Sequence, residues 1–361
     1  MKTQVMKRTL AALLAAAAVV TSFGTGSTQL TGFVPLTGRI TAEAASTASV
    51  TVTASSGYAE AAYAEWQAVS GANGYNVYAD GKQIDSMLIR QYAGCFRADV
   101  PGLKAGSHTL KIVPVISGKE DTSKAGETQV TSIAHDRSGF GWVKGTSSGA
   151  YNEDGTLKSN ATVIYVTNAT KDSVKATLPD KKGTSTTVTG IQNIITNLKS
   201  NTKAGPVCIR FIGNITDPST LTSGDLYVDT VTCGLTIEGI GADTTFNGFG
   251  LVIKKCSNVE VRNIGFMNCN STEGDDVSLP AGNDHIWVHH CDMFYGDAGS
   301  DADQAKGDGA LDTKTSSYIT HSFNHFWDCG KCNLQGMKSE SEYQLLQVSQ
   351  WPILSWHENL L

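Results

Sequence analysis

Three segments, Val259 to Phe266 (VEVRNIGF), Ile286 to Met293 (IWVHHCDM) and Ile319 to Phe326 (ITHSFNHF), repeat one frame. Each begins on an aliphatic residue and carries a bulky apolar residue seven places later. Within a segment the side chains alternate as those of a strand must, so Val259 and Val261, or Ile286 and Val288, share one face. The segments start 27 and 33 residues apart, and Leu235 to Ile240 (LTIEGI) matches Val259 to Ile264 at an offset of 24. Such spacings are too long for hairpins and lie within solenoid periods. A stack of parallel strands about 4.8 Å apart accounts for them, and each coil then buries its apolar face only against its neighbours. The expected class is all-β, a parallel β-helix.

Between the last two segments lies Gly296 to Asp312 (GDAGSDADQAKGDGALD), and ahead of the second lies Glu273-Gly-Asp-Asp276. Carboxylates at this density on two coil edges repel one another unless they are solvated or hold a cation. Calcium is the oxygen-loving candidate. Composition alone leaves the solvated acidic loop open as well.

The run EGDDVSL (273–279), then DHIWVHHCDMF (284–294), then DGALDTKTSSYITHSFNHFWDCGKCNLQG (308–336) resembles the core of the parallel β-helix pectate lyases, polysaccharide lyase family one. The resemblance extends over about residues 160–338, with NATVIYVTNATKD, GPVCIRFIGNI and LTIEGIGADTTF fitting the opening strands. It implies a right-handed parallel β-helix and a secreted, calcium-dependent enzyme that cleaves polygalacturonate by β-elimination. Position by position it implies Glu273 and Asp275 as one pair of calcium ligands, Asp308 and Asp312 as the other, and Lys331 as the residue that binds a substrate carboxylate. Asp276, Asp297, Asp301 and Asp303 have no match and read as solvated residues or ligands of a second ion. Lys306, Lys314 and Lys338 add positive charge to the same groove.

The resemblance also expects a base, an arginine in an Arg-x-Pro-x-x-Arg run on a later coil. No arginine follows Arg262, so the base arginine is absent from this chain. The stretch YQLLQVSQWPILSWHENLL, interrupted by Pro352, does not look like that coil. The expectation is a C-terminally incomplete β-helix, an atypical tail over 339–361 that is truncated or frameshifted, and impaired lyase activity. A non-catalytic pectin-binding β-helix or adhesin is one alternative. A polygalacturonate hydrolase that uses aspartates as acid and base is another.

The 361 residues favour two domains over one, and a net charge of −6 argues against nucleic acid as a partner. Met1 to Val20 has the layout of a secretory signal, with Lys2, Lys7 and Arg8 ahead of an apolar run too short to span a bilayer. Residues 1–45 are thus expected as signal and leader, and the mature protein as a secreted monomer without a membrane partner. Short strand-like runs divided by Gly and Pro over 46–133 suggest a β-sandwich. There WQAVSGANGYNVYADGK and VPGLKAGSHTLKIVPV resemble a fibronectin type III domain, with Trp66 and Tyr75 as core aromatics. Residues 134–159, rich in Gly and Ser, read as a linker or covering loop, and 160–338 as the β-helix. Ile191, Ile194, Ile195 and Leu198 have helical spacing and predict a short helix that caps the first coil.

Cys256, Cys269 and Cys291 read as small apolar core residues, and Cys329-Gly-Lys-Cys332 as a structural thiol pair or bridge. His285, His289, His290, His321 and His325 do not suggest a zinc site, because residues four apart converge on a helix and this region reads as strand.

Overall fold

The frame of the three segments is the observed register. In the computed structural model, Leu235 pairs in parallel with Val259, Val259 with Ile286, and Ile286 with Ile319. The structure describes residues 46–145, 149–269, 271–272, 274–294, 309–327, 333–336 and 346–349. The signal and leader expected over 1–45, and most of the tail at 339–361, lie outside these.

Each repeat is two strands rather than the single strand its alternation suggests. Ser257–Arg262 is followed by Gly265–Met267, Asp284–His289 by Asp292–Phe294, and Ser317–Ser322 by His325–Trp327. At the junctions Asn263, His290 and Phe323 take φ of 54°, 51° and 55°, a left-handed conformation that ends the alternation and bends the chain. Asparagines tie the bends to the coil before: Asn263 Nδ2 donates to the carbonyls of Gly239 and Gly241, and Asn324 Nδ2 to that of Val288.

A second parallel sheet, in the order Asp225–Asp229, Gly250–Lys254, Val277–Leu279, Leu311–Lys314 and Asn333–Gly336, forms another wall. Leu251, Ile253, Val277, Leu279 and Leu311 from this wall enclose one core with Val259, Val261, Ile286, Val288 and Ile319 from the first. Cys256 and Cys291 are buried in that core as free thiols. The helix Ile191–Leu198 lays its four apolar residues on the first coils. Gln192 stitches it there, accepting from the Tyr227 amide at 2.8 Å and donating to the Tyr227 carbonyl at 2.9 Å.

Residues 52–132 form two antiparallel sheets. One orders Val52–Tyr58, Ala61–Trp66, Phe96–Pro101 and Ile89–Gln91; the other centres on Ala72–Ala79, Gly106–Ile116 and Gly126–Ser132. Trp66, Tyr75 and Phe96 pack between them, with ring centroids 4.7–6.1 Å apart.

Polar residues that a strand pattern places on an outer face are instead buried at the junction of sandwich and helix. Arg210, Glu238, Arg262 and His289 stand in one register column on four successive coils. Glu238 is bonded to Arg210 at 2.8 Å and to Arg262 at 2.7 Å. The stretch after residue 133 is a strap across this column rather than a free linker: Gly141 donates to Thr320 Oγ1, and the buried Tyr151 hydroxyl donates to Glu238. From the sandwich, buried Glu60 pairs with Arg137 of the strap and lies 3.8 Å from Arg262. Arg90 bridges Asp99 and Asp243, on opposite sides of the junction. Breaking one such buried pair strands a charge and costs about 3–5 kcal/mol.

Burial opposes ionisation of Glu238, but Arg262 and Arg210 prevail and bring its pKa down to about 2. Burial pushes that of His321 down to about 3. Both groups bind more protons in the unfolded chain, so each stabilises the fold at higher pH. His321 gives up its contribution as pH falls from 6.5 toward 3, and Glu238 as it falls from 4.5 toward 2. Thermal melts should therefore show a His321-dependent fall in Tm between pH 6.5 and 4.5, above the range in which Glu238 contributes. The decline should be shallower in His321→Gln, and an unchanged slope in that variant contradicts the assignment.

Candidate active site

The second sheet presents its carboxylates on adjacent coils. Asp312 lies within Leu311–Lys314 and pairs in register with Ser278. Asp276 is two residues before Ser278, and Asp275 precedes it at the entry to the strand. All three are almost fully buried, at 2%, 0% and 3% exposure.

Gly309 is the point on which two of them converge. Its amide donates to Asp275 Oδ1 at 2.9 Å. A methyl group in place of its hydrogen would stand 2.6 Å from Asp312 Oδ1 and 2.8 Å from Asp275 Oδ1, so a side chain there would have to displace these carboxylates. Gly250, one coil earlier, is needed for the same reason, since a Cβ there would lie 2.2 Å from the Asp275 carbonyl oxygen. Small residues thus let two coils bring their acidic groups together.

Asp276 differs from its neighbours in having no partner for either carboxylate oxygen among the described residues. Its backbone is satisfied, accepting from Leu251 and donating to Gly309, so the orphaned atoms belong to the side chain alone. Burial, and then the charge of Asp275, raise its pKa well above the usual carboxylate range. Two remedies exist for such a group: it binds a proton, or a cation supplies the missing charge. A donor set of buried carboxylate oxygens with two orphaned acceptors fits a hard divalent ion such as calcium. Lys314, with Nζ 3.9 Å from Asp312 Oδ2, supplies positive charge at the rim.

Of the residues singled out in the sequence, the structure brings Asp275 and Asp312 together from adjacent coils. Glu273, Asp308 and Lys331 lie outside the described residues, as do Asp297, Asp301, Asp303, Lys306, Lys338, Cys329 and Cys332. The solvated reading of Asp276 is corrected by its complete burial. Its even spacing from Ser278, the partner of Asp312, was the available signal. His289 and His290, which share no strand face by alternation, meet His135 of the strap.

What these features define is a parallel β-helix with a buried acidic site on one wall. The chain belongs to the pectate lyase family, whose sequence profile matches residues 127–346. A pectate trisaccharide-lyase of Bacillus licheniformis is 28% identical over 179 residues, 49% of this chain and 50% of that protein. Pectate lyase A of Aspergillus niger is 33% identical over 109 residues, 29% of this chain and 32% of that one. The chain thus spans about half the length of the first of these relatives and a third of the second. A solved thermostable pectate lyase superposes with a TM-score of 0.36 at 20% identity, over 58% of this chain and 63% of its own. A pectate lyase bound to a hexasaccharide gives 0.38 at 18%, over 59% and 65%.

Because Asp276 is destabilised by its own charge, Asp276→Asn should raise Tm in a metal-free buffer near neutral pH. Each kcal/mol relieved corresponds to about 2–4 °C for a chain of 150–250 residues. A lower Tm in the variant under chelation would show that the carboxylate is satisfied by groups other than a cation.

Proposed function

We propose that this protein is a secreted pectate lyase that acts on polygalacturonate by calcium-assisted β-elimination. The observation that carries the reading is the convergence of Asp275 and Asp312 on Gly309, beside the orphaned carboxylate of Asp276, in a member of the pectate lyase family. Asp275 and Asp312 are the ligands to which the metal role is assigned first. Glu273 and Asp308 complete the set by resemblance.

β-Elimination removes the proton on C5 of a uronate, next to a carboxylate, and expels the glycosidic oxygen from C4. Calcium, when bound, neutralises that carboxylate and stabilises the anion that develops. The chain's own part is to gather oxygen ligands on a rigid wall and to hold the polymer. Lys331 takes a substrate carboxylate, and Lys314 at the rim of Asp312 favours the approach of a polyanion to an otherwise acidic surface.

The leader supports secretion, and the domain reading is a first sandwich ahead of a strap and the β-helix. The sheet order of residues 52–132 supports the fibronectin type III likeness, and the protein is taken as a monomer.

Ultraviolet absorbance of a 4,5-unsaturated product, measured on polygalacturonate with and without a calcium chelator, tests the reaction. Chelator-sensitive absorbance is expected. Reducing ends without absorbance would instead mark a hydrolase. In calorimetry, Asp312→Asn should weaken calcium binding at least tenfold by removing a charged oxygen ligand; unchanged affinity sinks the ligand assignment.

A further inference from the structure

The strap carries a histidine into the buried column at the junction. His135 meets His289 and His290 there, and one ring nitrogen from each lies within 4.8 Å of the others. All three are buried, at 7%, 0% and 5% exposure. Neighbours in a strand point to opposite faces, but His290 is the left-handed residue at the bend. That conformation brings the two adjacent rings together, with Nδ1 to Nδ1 at 2.8 Å.

We propose that His135, His289 and His290 form a site for a borderline divalent transition ion of the zinc class, which pins the strap and the sandwich to the β-helix. Three further observations support it. First, the Nε2 of His289 faces Glu260 Oε1 at 3.1 Å. A carboxylate there holds the proton on Nε2 and leaves Nδ1 as a lone-pair donor, the arrangement that orients histidine ligands in metal sites. Second, His135 Nδ1 is buried without a hydrogen-bond partner among the described residues. Third, a cavity of about 20 Å³ is bordered by His135, His290, Glu238, Arg262 and Asn263, room for about one water as a fourth ligand.

The rings are also held in place. His289 stacks on Trp287 at 3.7 Å and His290 on Phe323 at 5.0 Å, while His135 meets Trp287 edge-on. Burial, and then neighbouring positive groups, push the pKa of His135 and His289 well below the usual value. They are therefore neutral at pH 7, as ligation requires. The guanidinium of Arg137 is matched by Glu60, and that of Arg262 by Glu238 and Glu260. Imidazole nitrogen selects zinc, copper or nickel over calcium, so this site is independent of the carboxylate column and of the lyase reading.

The test uses the full chain, stripped of metal and titrated with Co²⁺. One equivalent should bind with the visible absorption of a low-coordinate nitrogen site, Zn²⁺ should displace it, and Zn²⁺ should raise Tm where Ca²⁺ leaves the cobalt signal unchanged. His135→Gln should abolish the absorption and the zinc-induced shift. Glu260→Gln should weaken binding by about 10- to 100-fold, and His321→Gln, a buried histidine elsewhere, should leave it intact. No cobalt absorption by the unaltered chain would overturn the proposal and leave a hydrogen-bonded histidine cluster only. So would absorption that survives in a folded His135→Gln or, should that variant not fold, in His290→Gln.

Discussion

Every coil of this protein has a face that only the next coil can cover. Parallel pairing repeats each position about 4.8 Å further along the stack, so a residue type is never buried alone but always beneath and above its register partners. Where those partners are apolar, as in Val259, Ile286 and Ile319, the stack is the core. Where they are charged, the same regularity forces signs to alternate, repel or recruit a counter-charge. The column Arg210, Glu238, Arg262 alternates and is buried as a run of ion pairs. Asp275, Asp276 and Asp312 are not register partners, since Asp312 pairs with Ser278, but they gather like charges at adjacent coils, and that imbalance is what makes the second wall a candidate site.

The two columns answer the burial problem differently. Around Glu238 the protein supplies its own cations, so desolvation is offset and the pKa falls. Around Asp276 the described residues supply none, and the pKa rises. A buried ion pair is a poor source of net stability compared with apolar packing. Its value at the junction is in orientation: Glu60, Arg137, Arg90 and Asp243 engage only when sandwich, strap and helix are all in place. An uncompensated carboxylate has no structural use at all, which is the argument for reading it as function.

Much of this was legible in the sequence, for reasons that are local. Offsets of 24, 27 and 33 between like segments gave the register directly, and four apolar residues at helical spacing gave the cap. Asp275 and Asp312 were legible through the motifs in which they sit. The bends were not, because a left-handed Phe323 or His290 is set by the stack and carries no glycine or proline to announce it. Nor was the buried network, since Glu238, Glu260 and Arg262 occupy positions that alternation assigns to an exposed face. They are covered only because a strap from elsewhere in the chain lies on them, a tertiary fact that no short-range pattern encodes. The meeting of His135 with His289 and His290 was illegible on both counts.

The central claim is that the acidic wall holds a calcium ion between adjacent coils. Amide hydrogen exchange of the full chain, with and without calcium, tests it most directly. The account predicts slowed exchange in the backbone of 275–279 and 309–314, where the Gly309 amide donates to Asp275, with the sandwich of 52–132 unaffected. Calcium-dependent protection located elsewhere, or none at concentrations that saturate binding, would contradict it.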